Sequence, residues 1–110
     1  MNRSIISKAV LSMSAVLITL SMGTAVAADG AALYKTKTCT ACHGKDGKTP
    51  LLPTYPKVAG QNAGYVLQQM KDIKSGARSN GQSSAMKGVM HLVSDAEMKA
   101  LADYIASLKP

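Results

Sequence analysis

The sequence predicts an all-α fold with long loops. Apolar residues return at helical spacing in separate stretches, and helix-capping residues stand at the ends of those stretches. No stretch alternates convincingly between apolar and polar residues as a half-buried strand would. Glycine and proline gather in the segments between.

Three helices are expected, in this order. The first runs from about Gly30 to Thr38, with Ala31, Leu33 and Tyr34 as its apolar residues. It is too short to be stable without partners. Residues 44–61 carry Gly44, Gly47, Pro50, Pro53, Pro56 and Gly60, a density that disfavours regular structure. A loop of this length in a small domain needs a functional reason, and wrapping a large flat cofactor is one. The second helix starts after Asn62, a good N-cap, and ends near Ser75, before Gly76. Its inward residues are Tyr65, Val66, Met70 and Ile73. Residues 76–93 again have loop composition, with Gly76, Gly81 and Gly88 among Ser79, Asn80, Ser83 and Ser84. The third helix has the clearest start. Ser94 and Glu97 form a capping box, each side chain positioned to bond the other's backbone amide. Met98, Leu101, Ala102, Ile105 and Leu108 follow on one face.

The 110 residues suffice for one domain. Residues 1–27 are expected to lie outside it. Arg3 and Lys8 precede a mostly apolar run, Ala9 to Leu20, and Ala25-Val26-Ala27 closes the segment. This is the pattern of a secretory signal peptide, cleaved after Ala27. The apolar run is shorter than the roughly 20 residues of a membrane-spanning helix. The expected mature domain, 28–110, then has 11 basic residues against 6 acids, a formal charge of +5. It has no second long apolar stretch, so a soluble periplasmic protein without a membrane span is expected. Its aromatics are Tyr34, Tyr55, Tyr65 and Tyr104, with no Phe or Trp. A small domain lacking the bulkiest apolar side chains is short of buried area, and a cofactor would supply some.

Cys39-Thr40-Ala41-Cys42-His43 carries the chemistry. C-x-x-C-H is the attachment pattern of c-type haem. Two thiols one helical turn apart add to the two vinyl groups of one haem. The adjoining histidine then reaches the iron as its proximal ligand. Three other readings of these residues are weaker. A redox-active C-x-x-C of thioredoxin type lacks its βαβ surroundings. A zinc site needs a fourth ligand, for which only His91 is left as a conventional donor. A plain disulfide would account for neither His43 nor the loops.

With this motif the chain resembles the small soluble class I c-type cytochromes of bacteria. The likeness takes in Gly30 and Tyr34, then Cys39, Cys42, His43 and Gly44. It continues through Tyr55-Pro56-Lys57-Val58-Ala59-Gly60-Gln61, Tyr65, Gly76-Ala77-Arg78 and Met86, and ends on Ser94-Asp95 and Leu101-Ala102-Asp103-Tyr104-Ile105. The pieces are individually weak, while their order and spacing are specific. The resemblance implies a class I cytochrome c fold, a few helices around one covalent haem, with first and last helices crossing near Gly30 and Tyr104.

A carrier needs a filled sixth iron position, which methionine sulfur supplies in Met/His cytochromes. Met70 and Met98 fall on apolar helix faces and read as core. Met86 and Met90 lie in the segment before the last helix, and the resemblance favours Met86 as distal ligand, with Met90 the alternative. A bis-histidine iron through His91 is a weaker reading. The resemblance further implies that the Pro56 carbonyl accepts from the His43 ring, with Pro53 or Pro50 in its place if the register shifts. It also implies that Arg78 pairs with a haem propionate.

The function expected is outer-sphere electron transfer by a monomer, not catalysis. The partners would be a periplasmic donor dehydrogenase and an acceptor oxidase or reductase. Lys35, Lys37, Lys45, Lys48, Lys57 and Lys87 lie near the haem-binding segments and suit an acidic partner surface, or simply keep the protein soluble. Nucleic acid is a poor partner for an exported chain without aromatics among its bases. Two alternatives remain: a tightly bound haem subunit of a larger dehydrogenase, and an open-site haem sensor or peroxidase.

Overall fold

The computed structural model describes residues 15–16 and 28–110. The expected signal peptide, apart from two residues, lies outside the described residues. Five helices make up the described fold: α1 (Gly30–Thr36), α2 (Cys39–His43), α3 (Ala63–Ser75), α4 (Ser83–Met90) and α5 (Asp95–Ser107). Among the described residues there is no strand, and no helix is long and apolar enough to cross a membrane.

The helices pack in an open chain. α2 rests on α1, α1 on α5, α5 on α3, and α3 on α4. The two ends of this chain, α2 and α4, do not touch each other. The middle is the core, where Tyr34, Val93, Met98 and Leu101 are almost wholly buried beside Val66, Met70, Ile73, Met90, Ala102 and Ile105. The α1–α5 crossing is close because Gly30 has no side chain: a Cβ there would stand 2.3 Å from the Ala100 carbonyl oxygen and 2.7 Å from Tyr104 Cβ. Tyr34 and Tyr104 meet at the same crossing as a tilted pair with centroids 5.6 Å apart, an arrangement that aromatic rings favour.

The caps explain the element ends. Asp29 accepts from the amides of Ala31 and Ala32 at the start of α1. Asn62 accepts from Tyr65 N, and Gly76 ends α3 in a left-handed conformation. Ser94 and Glu97 make the reciprocal capping box of α5 at 3.2 and 3.0 Å.

Four expectations are corrected. The first helix stops at Thr36, and Thr38, at φ 63, turns the chain before α2 begins. Left-handed backbone is unfavourable for a β-branched residue, so this bend is imposed by the surroundings. Residues 76–93 are not all loop, because Ser83–Met90 is helical. Its apolar residues Met86, Val89 and Met90 recur at helical spacing and turn inward, which outweighs the helix-weakening Gly88. Tyr65 is 55% exposed and lies outside the buried core, although it lines the same interior cavity as Val66, Met70 and Ile73. Leu108 caps α5 half-buried and does not complete its buried face.

Candidate haem site

α2 and α4 are separated by a cavity of about 390 Å³, within the roughly 300–1,000 Å³ typical of small-molecule and cofactor sites. Cys39, Cys42 and His43 line it from α2, and Met86, Val89 and Met90 from α4. α3 supplies the floor between them with Val66, Met70 and Ile73. Loop residues Pro56, Val58 and Arg78 line it as well. Cys39, Cys42, His43, Pro56, Arg78, Met86 and Met90 therefore border one space, whereas the alternatives Pro50, Pro53 and His91 do not.

The motif is held at both ends. Cys39 and Cys42 are unbridged and half-buried. Burial pushes the Cys39 thiol up from its ordinary value, unlike the lowered thiol of a redox-active pair. At the other end Gly44 has φ +85 and ψ 162, a conformation essentially reserved for glycine. A Cβ at Gly44 would stand 2.2 Å from the Thr49 carbonyl oxygen. The buried Tyr34 hydroxyl donates to Gly44 O at 2.7 Å, so α1 fixes the exit of the motif.

The loop over residues 44–61 is irregular, as its composition predicts, but firmly tied. Leu51 N donates to Cys42 O, and Val58 N and Ala59 N both donate to Gly47 O. Asp46 accepts from the amides of Lys48 and Thr49 and from the Thr49 hydroxyl. Those bonds, the Lys48 amide foremost, lower its carboxyl below the usual value. Gly60 N donates to Ile105 O and pins the loop's end to α5.

This loop brings Pro56 O to 2.9 Å from His43 Nδ1. A carbonyl only accepts, so the contact requires the proton on Nδ1 and leaves the lone pair on Nε2. The ring thereby presents one defined coordinating atom. Arg78 is fixed by donation from Nη1 to Gln69 Oε1 at 2.9 Å and from its backbone amide to Asp72 O at 3.0 Å. Among the described lining residues it is the one with a fixed charge, and no carboxylate accompanies it. Gln69 was not singled out in the sequence. Its spacing from Tyr65 and Ile73, four residues each way, was the available signal.

These features fit a covalently held haem. Two thiols, an imidazole with a defined free nitrogen and three thioether side chains border an apolar space with one cation at its margin. Zinc fits less well: among the described residues, no three of His, Cys, Asp and Glu are grouped to hold a metal ion. His91 caps α4 at the exposed surface and is not among the lining residues.

The family model described as cytochrome c matches residues 27–109. Cytochrome c4 of Pseudomonas aeruginosa is 44% identical over 96 residues, covering 84% of this chain and 46% of that protein. Cytochrome c-553 of Nitratidesulfovibrio vulgaris is 39% identical over 84 residues, covering 76% of this chain and 80% of that protein. The crystal structure of reduced recombinant cytochrome c4 from Pseudomonas stutzeri superposes with a TM-score of 0.65 at 33% identity, covering 73% of this chain and 46% of that one. The chain thus spans about half the length of the cytochrome c4 relatives it matches and most of cytochrome c-553. Motif, fold and similarity agree that the chain belongs to the cytochrome c family.

Proposed function

We propose that the protein is a periplasmic carrier that moves single electrons on one covalent haem c, with His43 and Met86 as axial ligands. Membership of the cytochrome c family and the single C-x-x-C-H motif imply the haem itself. The observation that carries the rest is the placement of α2 and α4 on one cavity without contact between them. When bound, the haem supplies an iron that alternates between Fe(II) and Fe(III).

The chain's residues divide the remaining work. Cys39 and Cys42 anchor the group by thioether bonds. His43 coordinates through Nε2, while its Nδ1–H bond to Pro56 O fixes the ring and makes it more electron-rich. Met86 is favoured over Met90 because the two differ in burial. Met90 is 3% exposed and belongs to the core beside Val93, whereas Met86 is only partly buried. Met90 is then packing. Arg78 pairs with a propionate. The apolar lining excludes water and stabilises the less charged, reduced state. Two filled axial positions leave no place for a substrate, so the protein is a carrier and not an enzyme.

Residues 1–27 direct export, and the mature domain acts as a monomer between a donor dehydrogenase and an acceptor oxidase or reductase. Exposed Lys45, Lys48 and Lys57 favour an acidic partner surface.

The test is carbon monoxide added to the reduced, haem-loaded protein. A carrier shows an unchanged spectrum and a reversible one-electron titration. Rapid, tight carbon monoxide binding by the wild type would mean an open iron, and would replace this reading with sensing or catalysis.

A further inference from the structure

α4, like α2, lines the cavity with support from a single neighbouring helix. It packs against α3 alone, and its N-cap residue, Gln82, makes no side-chain capping bond. Its C-terminal end is tied down differently. Leu92 N and Val93 N donate back to Val89 O and Met90 O, so residues 91–93 continue α4 as a tight turn. The carbonyls of that turn are then taken by two lysines from other helices. Lys37, the C-cap of α1, donates from Nζ to Leu92 O at 2.8 Å. Lys74, in the last turn of α3, donates from Nζ to Val93 O. Lys37 also stands 3.6 Å from Glu97 Oε2, and Glu97 closes the capping box of α5. The turn is thereby joined to α1, α3 and α5 at once.

Neither lysine is a fully exposed, solubilising charge. Both are half-buried, and both aim at backbone carbonyls in the connection between α4 and α5. A hydrogen bond from a charged donor to a backbone carbonyl is stronger than a neutral one. Val93 itself is 1% exposed, so the turn cannot move outward without uncovering core.

We infer that Lys37 and Lys74 are positioning residues that clamp the α4–α5 turn and so hold the ligand methionine over the cavity. This rests on the methionine ligation proposed above. The clamp sets how often the sixth position opens. Releasing one lysine lets α4 swing on its α3 contact without unfolding the α1–α5–α3 core.

The experiment uses the oxidised, haem-loaded protein and imidazole as probe, since imidazole binds only when the methionine leaves. Lys74→Met keeps the apolar stem and removes the donor. It should keep the red sulfur-to-iron band at rest and bind imidazole about tenfold more tightly, the equivalent of ~1.4 kcal/mol. Lys37→Met should act in the same direction and serves if Lys74→Met folds poorly. Lys74→Arg, which keeps a charged donor, should restore affinity towards wild type. Lys99→Met, which breaks only the exposed pair with Asp103, should leave imidazole affinity unchanged and so controls for charge loss.

If the wild type lacks the red band, the methionine reading falls, and the clamp with it. If the band is present and both Met variants bind imidazole like wild type, the clamp falls alone. It also falls if Lys99→Met raises affinity as much as Lys74→Met does.

Discussion

α2 and α4 sit at opposite ends of the same chain of packed helices, and they are built on different principles. α2 is five residues long, and three of them bear chemistry that tolerates no change of spacing. α4 is eight residues long and lines the cavity with Met86, Val89 and Met90 among others, of which only one is proposed as a ligand. The exit of α2 is fixed by local devices: the glycine-only backbone of Gly44, the Tyr34 hydroxyl and the bonded loop that follows. The end of α4 is fixed from a distance by Lys37 and Lys74. The first end is therefore rigid by sequence-local geometry, and the second is adjustable by tertiary contacts. For a group gripped at two positions, the rigid end anchors and the adjustable end tunes.

Gly44→Ala should break the rigid end outright. The new Cβ meets Thr49 O at 2.2 Å in a backbone conformation that alanine avoids. A cost of ~3 kcal/mol is expected from strain and overpacking together. Thermal unfolding of the haem-loaded protein measures it. A loss below about 0.5 kcal/mol would mean that the loop relaxes freely and the rigidity argument is wrong.

Tyr34→Phe should weaken the same end by about 1 kcal/mol at neutral pH, because Gly44 O loses its donor. It also carries a pH signature. Burial, ahead of neighbouring charges, pushes the Tyr34 hydroxyl from 10.0 up to about 12. The folded state keeps this proton where the unfolded chain gives it up. The resulting stability is intact below about pH 10 and is lost as pH rises through about 12. The phenylalanine variant has nothing there to lose, so the stability gap should narrow across that window. Parallel denaturant curves at pH 8, 10 and 11 check the sign.

The smallest effect is expected at the adjustable end. Gly88 lies inside α4, and a Cβ there meets nothing within 4 Å. Gly88→Ala should therefore stabilise α4 by ~0.5–1 kcal/mol. Global melting will barely register this, whereas reduced imidazole binding to the oxidised protein will. An increase in imidazole binding would show that α4 needs its glycine to seat the methionine.

The same contrast governs what the sequence revealed. C-x-x-C-H was legible because bond chemistry fixes its spacing. α3 and α5 were legible because Asn62, Gly76 and the Ser94–Glu97 box are local signals that the structure uses as written. α4 was not, since Gly81, Gly88 and its serines look like loop and the contacts that make it helical come from α3 and two distant lysines. Lys37 and Lys74 were invisible as clamps for the same reason: their partners are backbone carbonyls 55 and 19 residues away. The break between α1 and α2 was hidden because Thr38 is a poor residue for the turn it makes. Tyr65 keeps the face that helical spacing gave it, but it lines the cavity instead of packing in the core.

On the function proposed above, the two ends grip one haem through His43 and Met86. The most direct test is the absorption spectrum of the oxidised protein, made with its haem attached, beside Met86→Ala and Met90→Ala. The weak red band of sulfur-to-ferric-iron charge transfer should be present in the wild type and in Met90→Ala, and absent in Met86→Ala. Loss in Met90→Ala alone would move the ligand one turn along α4. A band missing from the wild type would contradict methionine ligation altogether.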